Sequence, residues 1–202
     1  MPDETPLARS DVMTSEAPIE TKTPKRRKPR RRAAIEWTII IIVAILVSFL
    51  LRTFAFQTFY IPSGSMEPTL QIGDRIIVDK LAVTWGHINI GDIVVFKAPP
   101  SENCGEVVTD LVKRVIGLPG DHLTSKGNTI YVNGTALKEN WPHNEPLGQA
   151  IGKVTVPQGQ YFMMGDNHSD SCDSRMWGTV PRSDIIGKAF VRIWPLSRIG
   201  FL

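Results

Sequence analysis

Ser63 and Ser65 flank Gly64 in a stretch bounded by Pro62 and Pro68, so two hydroxyls sit on a loop whose backbone is stiffened on either side. Proline fixes φ, and a glycine between the serines allows a close backbone approach that a Cβ would obstruct. Such a loop suits a nucleophile if a base stands near enough to take its proton. The competing reading is an ordinary turn, for which Ser, Gly and Pro are also the usual residues. Lys113 is the candidate base. It lies in an apolar strand-like run, 110–117, where alternate side chains point to opposite faces, so it shares a face with Leu111 and Val115. Among apolar neighbours an amine loses hydration, which disfavours the ammonium form and lowers its pKa toward the range of a base. A lysine that snorkels outward would stay an ordinary cation. Arg114, on the other face, is free to pair or to be solvated.

A third stretch, 163–178, is dense in short hydrogen-bonding groups: Gly165-Asp166-Asn167-His168-Ser169-Asp170-Ser171-Cys172-Asp173-Ser174-Arg175. Asp173 and Arg175 are able to pair, the Gly-Asp-Asn turn can bond its own backbone, and a hydroxyl here can orient Lys113. A structural loop is the plainer reading. His168 raises a Ser/His alternative, which Lys113 makes unnecessary.

The elements that must position these groups come from what surrounds them. The chain has 202 residues, 42% of them hydrophobic, with a net charge of +3. Residues 1–32 hold nine Lys/Arg against five Asp/Glu, a net of +4, so the remainder carries 3 − 4 = −1. The basic balance belongs to the tail, and nucleic acid is not expected as a partner of the folded part. About 150 residues suffice for one core. His87, His122, His143 and His168 are too scattered for a local metal motif, and Cys104 and Cys172 are the only cysteines, so neither a metal nor another cofactor is expected.

Residues 1–24 are too poor in large apolar groups to offset the entropy of ordering, and 1–32 is expected to be a disordered basic cytoplasmic tail. Seven cations at 25–32 adjoin an almost wholly apolar run, 33–56, long enough to span a bilayer. The positive-inside rule puts the tail in the cytoplasm and 57–202 outside, as a single-pass anchor. A cleaved secretory leader would need a small-x-small site, which Phe54-Ala55-Phe56-Gln57-Thr58-Phe59 lacks.

Beyond the anchor, strand signals recur at 74–80, 93–97, 111–118, 129–132, 135–137, 160–164 and 188–194, with an Asn133-Gly134 hairpin turn and no convincing helical periodicity. The spacing predicts an all-β domain, with 118–156 as a hairpin-rich insertion. Asn133-Gly134-Thr135 and Asn167-His168-Ser169 match a glycosylation pattern, but turn residues account for them better.

Together, Ile61-Pro62-Ser63-Gly64-Ser65-Met66-Glu67-Pro68-Thr69-Leu70, Gly73-Asp74, Lys113-Arg114-Val115-Ile116-Gly117-Leu118-Pro119-Gly120-Asp121 and the Gly165 to Arg175 stretch resemble the bacterial type I signal peptidases. These are membrane-bound Ser/Lys proteases that release signal peptides from exported preproteins. The resemblance implies a coiled β-sheet domain behind a transmembrane helix, with Ser65 as nucleophile and Lys113 as general base. Ser63 then joins the Ser65 N–H as an oxyanion donor, Ser171 orients the base, and Asp173 with Arg175 forms a supporting ion pair. It also implies a substrate cleft at Phe59, Ile61, Met66, Leu70, Ile76 and Val112, shallow enough for Ala-x-Ala ends. The expected partners are preprotein signal peptides, the lipid bilayer and the export machinery. Cys172 departs from the small residue the family pattern has there, and an oxidising compartment makes a Cys104–Cys172 disulfide a reasonable expectation. Two rivals are a self-cleaving repressor of the LexA type, which should carry a DNA-binding helical domain, and a tethered binding module of the same fold without catalysis.

Overall fold

A computed structural model describes residues 30–101, 104 and 109–202. The expected tail lies, up to residue 29, outside the described residues. The described chain falls into two compact units that meet at Ile42/Val43, inside the first helix.

Helix α1, Arg30–Phe54, carries the apolar run; its stretch Ala33–Leu50 is long and apolar enough to cross a membrane, and none of it is buried by protein. In a bilayer only such a segment satisfies every backbone group internally. The expected span ended at residue 56, but the helix stops at Phe54. Ala55 is buried and its carbonyl accepts the Lys80 N–H at 2.9 Å, and Phe56 already belongs to a strand.

Within the second unit, β1 (Phe56–Tyr60), β2 (Arg75–Asp79), β3 (Ile93–Lys97), β4 (Asp110–Gly117), β9 (Gln160–Met164), β10 (Val180–Pro181), β11 (Ile185–Trp194) and β12 (Gly200–Phe201) form one antiparallel sheet. Its order is β1-β2-β11-β3-β4-β9-β10, with β12 beside β11. A smaller sheet, order β7-β6-β5-β8, is built from β5 (His122–Lys126), β6 (Thr129–Val132), β7 (Thr135–Ala136) and β8 (Val154–Thr155). It occupies the hairpin-rich stretch. Asn133 and Gly134 turn β6 into β7 with φ of 53° and 79°, the left-handed pair such a two-residue turn requires.

β3 reads as an unbroken apolar run because both its faces are covered. Ile93 and Val95 pack with Ile61, Met66, Leu70, Ile76, Val78 and Ala189, whereas Val94 and Phe96 pack with Val115, Tyr161, Met163, Trp177, Val180 and Ile185. A third cluster joins Ile116, Phe162 and Met164 of the large sheet to Leu123 and Ile130 of the small one. Each such side chain, fully buried, contributes roughly 1.5–3 kcal/mol. The domain is not purely β: α2 (Leu81–Thr84) and α3 (Ser174–Trp177) are single turns, too short to leave a helical period in the sequence.

Candidate active site

The serine loop joins β1 to β2 and is closed on itself. Ile61 N–H donates to Asp74 O at 3.0 Å, Gly73 N–H to Ile61 O at 2.9 Å, and Glu67 N–H to Gly64 O at 3.0 Å. The buried Asp74 carboxylate accepts the Gln71 N–H at 2.8 Å, pinning the far end. Met66 and Leu70 drive this loop into the core, and the residues between and before them are held at the surface by that anchorage. Ser65 is half-buried, and among the described residues neither the Ser65 N–H nor the Ser63 hydroxyl has a protein hydrogen-bond partner.

Lys113 sits in the middle of β4, opposite Val94 of β3, and is only 2% exposed. Its Nζ donates to Ser171 Oγ at 3.1 Å. Ser63, Ser65, Lys113, Ser171 and both cysteines line one cavity of about 480 Å3. The three stretches singled out by residue type, the β1–β2 loop, the middle of β4 and a distant loop, therefore converge on one space.

The loop carrying Ser171 is braced from beneath. Arg175 Nη2 pairs with Asp173 Oδ2 at 2.6 Å, and both side chains are buried. Asp173 accepts the Gly165 N–H at 3.1 Å and caps α3 through the Arg175 N–H, while Arg175 also donates to Leu147 O and, at 2.9 Å, to His168 O. Cys104 and Cys172 are joined as a disulfide with Cα atoms 6.2 Å apart, tying the segment before β4 to this loop.

A second cavity, about 360 Å3, opens on the other side of Ser65 and shares Ser63 and Ser65 with the first. Phe59, Ile61, Met66 and Val112 line it, together with Val95 and Leu111. Leu70 and Ile76, expected in the cleft, are not on its wall. Both are fully buried in the cluster behind Ile61 and Met66, so they support the wall without reaching the opening.

Arg114 is paired. Its Nε and Nη2 make a fork to Asp166 at 2.7 and 2.6 Å, Nη1 donates to Gly91 O at 2.6 Å, and the guanidinium lies 4.9 Å over the Trp141 ring. His168 is buried against Glu139, with Nε2 at 3.3 Å from Oε1, and is stacked on His143; it lines neither cavity, so a Ser/His arrangement has no support.

Two positioning residues escaped the sequence reading. The Gly-Asp-Asn turn was expected to bond its own backbone, but Asn167 N–H donates to Ser65 O at 3.1 Å and Asn167 Nδ2 to Gly64 O at 3.2 Å. Gly165 lies where a Cβ would collide with Ser65 O and Ser171 Oγ at once, so the loop carrying Ser65 and the loop carrying Ser171 meet over a residue that has to be glycine. A glycine beside a run of short polar groups was the one available signal.

Comparison with known proteins matches residues 34–194 to the model of the family described as signal peptidase, peptidase S26. A probable signal peptidase I-2 of Synechocystis is 40% identical over 184 residues, covering 91% of this chain and 84% of that protein. The signal peptidase I of Mycobacterium tuberculosis is 35% identical, covering 89% and 79%. A crystal structure of a signal peptidase I from Enterococcus faecalis is 32% identical over half of this chain and 96% of its own, with a TM-score of 0.41. The family match and the Synechocystis and Mycobacterium relatives make this protein a serine peptidase. The chain belongs to the signal peptidase family, peptidase S26.

Proposed function

We propose that the protein is a signal peptidase I that cleaves signal peptides from exported preproteins after small residues, using Ser65 and Lys113. The observation that carries this is Lys113: an amine 2% exposed, held at 3.1 Å by Ser171 and lining the same cavity as Ser65. In such a place burial favours the neutral amine a general base needs. Ser65 Oγ attacks the scissile carbonyl as Lys113 takes its proton, and the amine then protonates the leaving nitrogen. The Ser65 N–H and the Ser63 hydroxyl, without protein partners, receive the developing oxyanion. A donor of this kind is commonly worth about a hundredfold or more in rate. Asp173 and Arg175 hold the Ser171 loop. The shallow apolar cavity beside Ser65 accepts the small residues preceding the bond.

The helix α1 then anchors the enzyme with its N-terminus cytoplasmic and 57–202 as the extracytoplasmic domain, and exposed Phe54, Phe56 and Tyr60 at the junction lie toward the bilayer surface where a signal peptide's cleavage site emerges beside the export machinery. Sharing that plane raises the effective concentration of substrate. Neither a LexA-type repressor nor a silent binding module gains support from the site or the relatives. Purified protein in detergent should process a preprotein at a single junction, and Ser65→Ala and Lys113→Ala should each abolish processing while melting normally; full activity in either variant would remove the dyad.

A further inference from the structure

A third cavity, about 490 Å3, lies away from the serine and lysine and is lined by Thr69, Arg114, Trp141, Arg192, Arg198 and Phe201 among others. Of the side-chain carboxylates that its three guanidiniums pair with, Asp166 is fully taken by the fork from Arg114. Arg192 and Arg198 share the remaining one, buried Asp74, at 3.7 and 2.9 Å; no other carboxylate among the described residues lies within ion-pair distance of either.

Their donors are also incompletely used. Arg192 spends Nε on Arg198 O at 2.6 Å and Nη1 on Thr69 O at 2.6 Å; Arg198 spends Nη1 on Asp74 and Nη2 on Thr69 O at 3.4 Å. Arg192 Nη2 and Arg198 Nε donate to no acceptor among the described residues, and both side chains are mostly but not wholly covered, at 16% and 24% exposure. Burial and the neighbouring Arg198 charge push Arg192 below the ordinary guanidinium pKa, with Asp74 opposing. Two cations are thus held together by the fold, each with a donor left over, against one carboxylate. That is a positive, partly desolvated pocket with hydrogen-bond donors fixed in advance, the arrangement that favours a tetrahedral oxyanion. Beside it Phe201 is 89% exposed, and Leu196 and Ile199 are exposed on the turn that carries Arg198.

We infer that the Arg192–Arg198 cavity is a binding site for a phosphate-type anion, distinct from the peptidase centre. The anion is either free in solution or the headgroup of an anionic lipid whose chains lie against Phe201. Either way it supplies the negative charge that Asp74 alone does not, and it does so next to Thr69, the carbonyl that both arginines hold at the end of the serine loop.

The test uses the full chain in uncharged detergent micelles, titrated with inorganic phosphate by calorimetry and, separately, with short-chain phosphatidylglycerol against phosphatidylcholine by phosphorus NMR. Saturable phosphate binding is expected, weakened about tenfold or more in Arg192→Gln/Arg198→Gln, as loss of two charged donors implies. Phosphatidylglycerol binding that Phe201→Ala weakens while phosphate binding holds identifies the lipid as the source; phosphate binding without it identifies a free anion. If the double glutamine variant fails to fold, Arg192→Lys, which keeps the charge but loses the fork, takes its place and should weaken phosphate binding by a factor of several. Absence of saturable binding of either probe by the wild-type chain, or equal binding by a folded variant, overturns the site. Processing of a preprotein is measured in the same samples, so failure of the anion site is separable from failure of the Ser65–Lys113 reading.

Discussion

The main-chain N–H of Asn167 donates to the carbonyl of Ser65 at 3.1 Å, while its side-chain amide donates to Gly64 O at 3.2 Å. The loop that carries Ser171 therefore grips the loop that carries Ser65 at the two successive peptides that flank Ser65. Asn167→Ala removes the side-chain bond and leaves the main-chain one. The expected result is a kcat about tenfold lower with KM changed less than about twofold, and a stability loss of about 1 kcal/mol for one hydrogen bond. Steady-state kinetics beside urea unfolding separates the two; a change confined to KM would mean that the grip positions substrate and not Ser65.

Gly165 presents the sharper case. A methyl group there meets Ser65 O and Ser171 Oγ, so Gly165→Ala must push the two loops apart. A displacement of about an ångström in such a constellation commonly costs about a hundredfold in kcat. Affinity for a substrate-like peptide should change little, because the apolar cavity lies on the other side of Ser65. Near-normal turnover would show that the junction yields freely and does not set the dyad's geometry.

The pH dependence follows from which form of Lys113 works. A general base must be neutral, and burial at 2% exposure favours that form. Activity is then present where the amine is deprotonated and falls as pH drops and the amine takes a proton. In Ser171→Ala the amine loses the hydroxyl that positions it, and kcat should fall by about ten- to a hundredfold with the acid limb retained. A rate of the wild-type enzyme that rises on acidification, measured with a signal-peptide substrate, would assign the base elsewhere.

Much of this site was legible because its residue types are local and chemically specific: two serines about a glycine between prolines, a lysine inside an apolar strand, a run of short polar groups. The strands at 93–97, 129–132 and 160–164 carried their own signals and occur with those bounds. What was not legible depends on distance in sequence. Nothing beside Arg114 indicates that Asp166, 52 residues on, neutralises it. Leu70 and Ile76 are cleft residues by the family resemblance, and only packing shows them to be behind the wall. β1 was missed because it follows the anchor without a break in hydrophobicity, and as an edge strand with most residues exposed it lacks an in-out alternation. β11 begins at Ile185, three residues ahead of the expected strand, since a register shift between Ile185 and Gly187 blurs the pattern there.

The Arg114–Asp166 pair lies beside Lys113 in sequence on one side and Asn167 on the other, and is almost wholly removed from water, at 7% and 1% side-chain exposure. Arg114 follows Lys113 on β4, and Asp166 stands between Gly165 and Asn167, so the fork joins the strand of the base to the turn that grips Ser65. Deleting one partner strands the other charge in the interior. Asp166→Ala should therefore destabilise the domain by about 3–5 kcal/mol. Arg114→Met/Asp166→Ala should recover part of that, because neither charge then remains to be buried. Denaturant unfolding of the single and double variants measures both values. Processing activity should follow a different order, low in both, since neither rebuilds the link that aligns Lys113 with the Ser65 loop. A double variant as active as wild type would show that the pair serves stability alone.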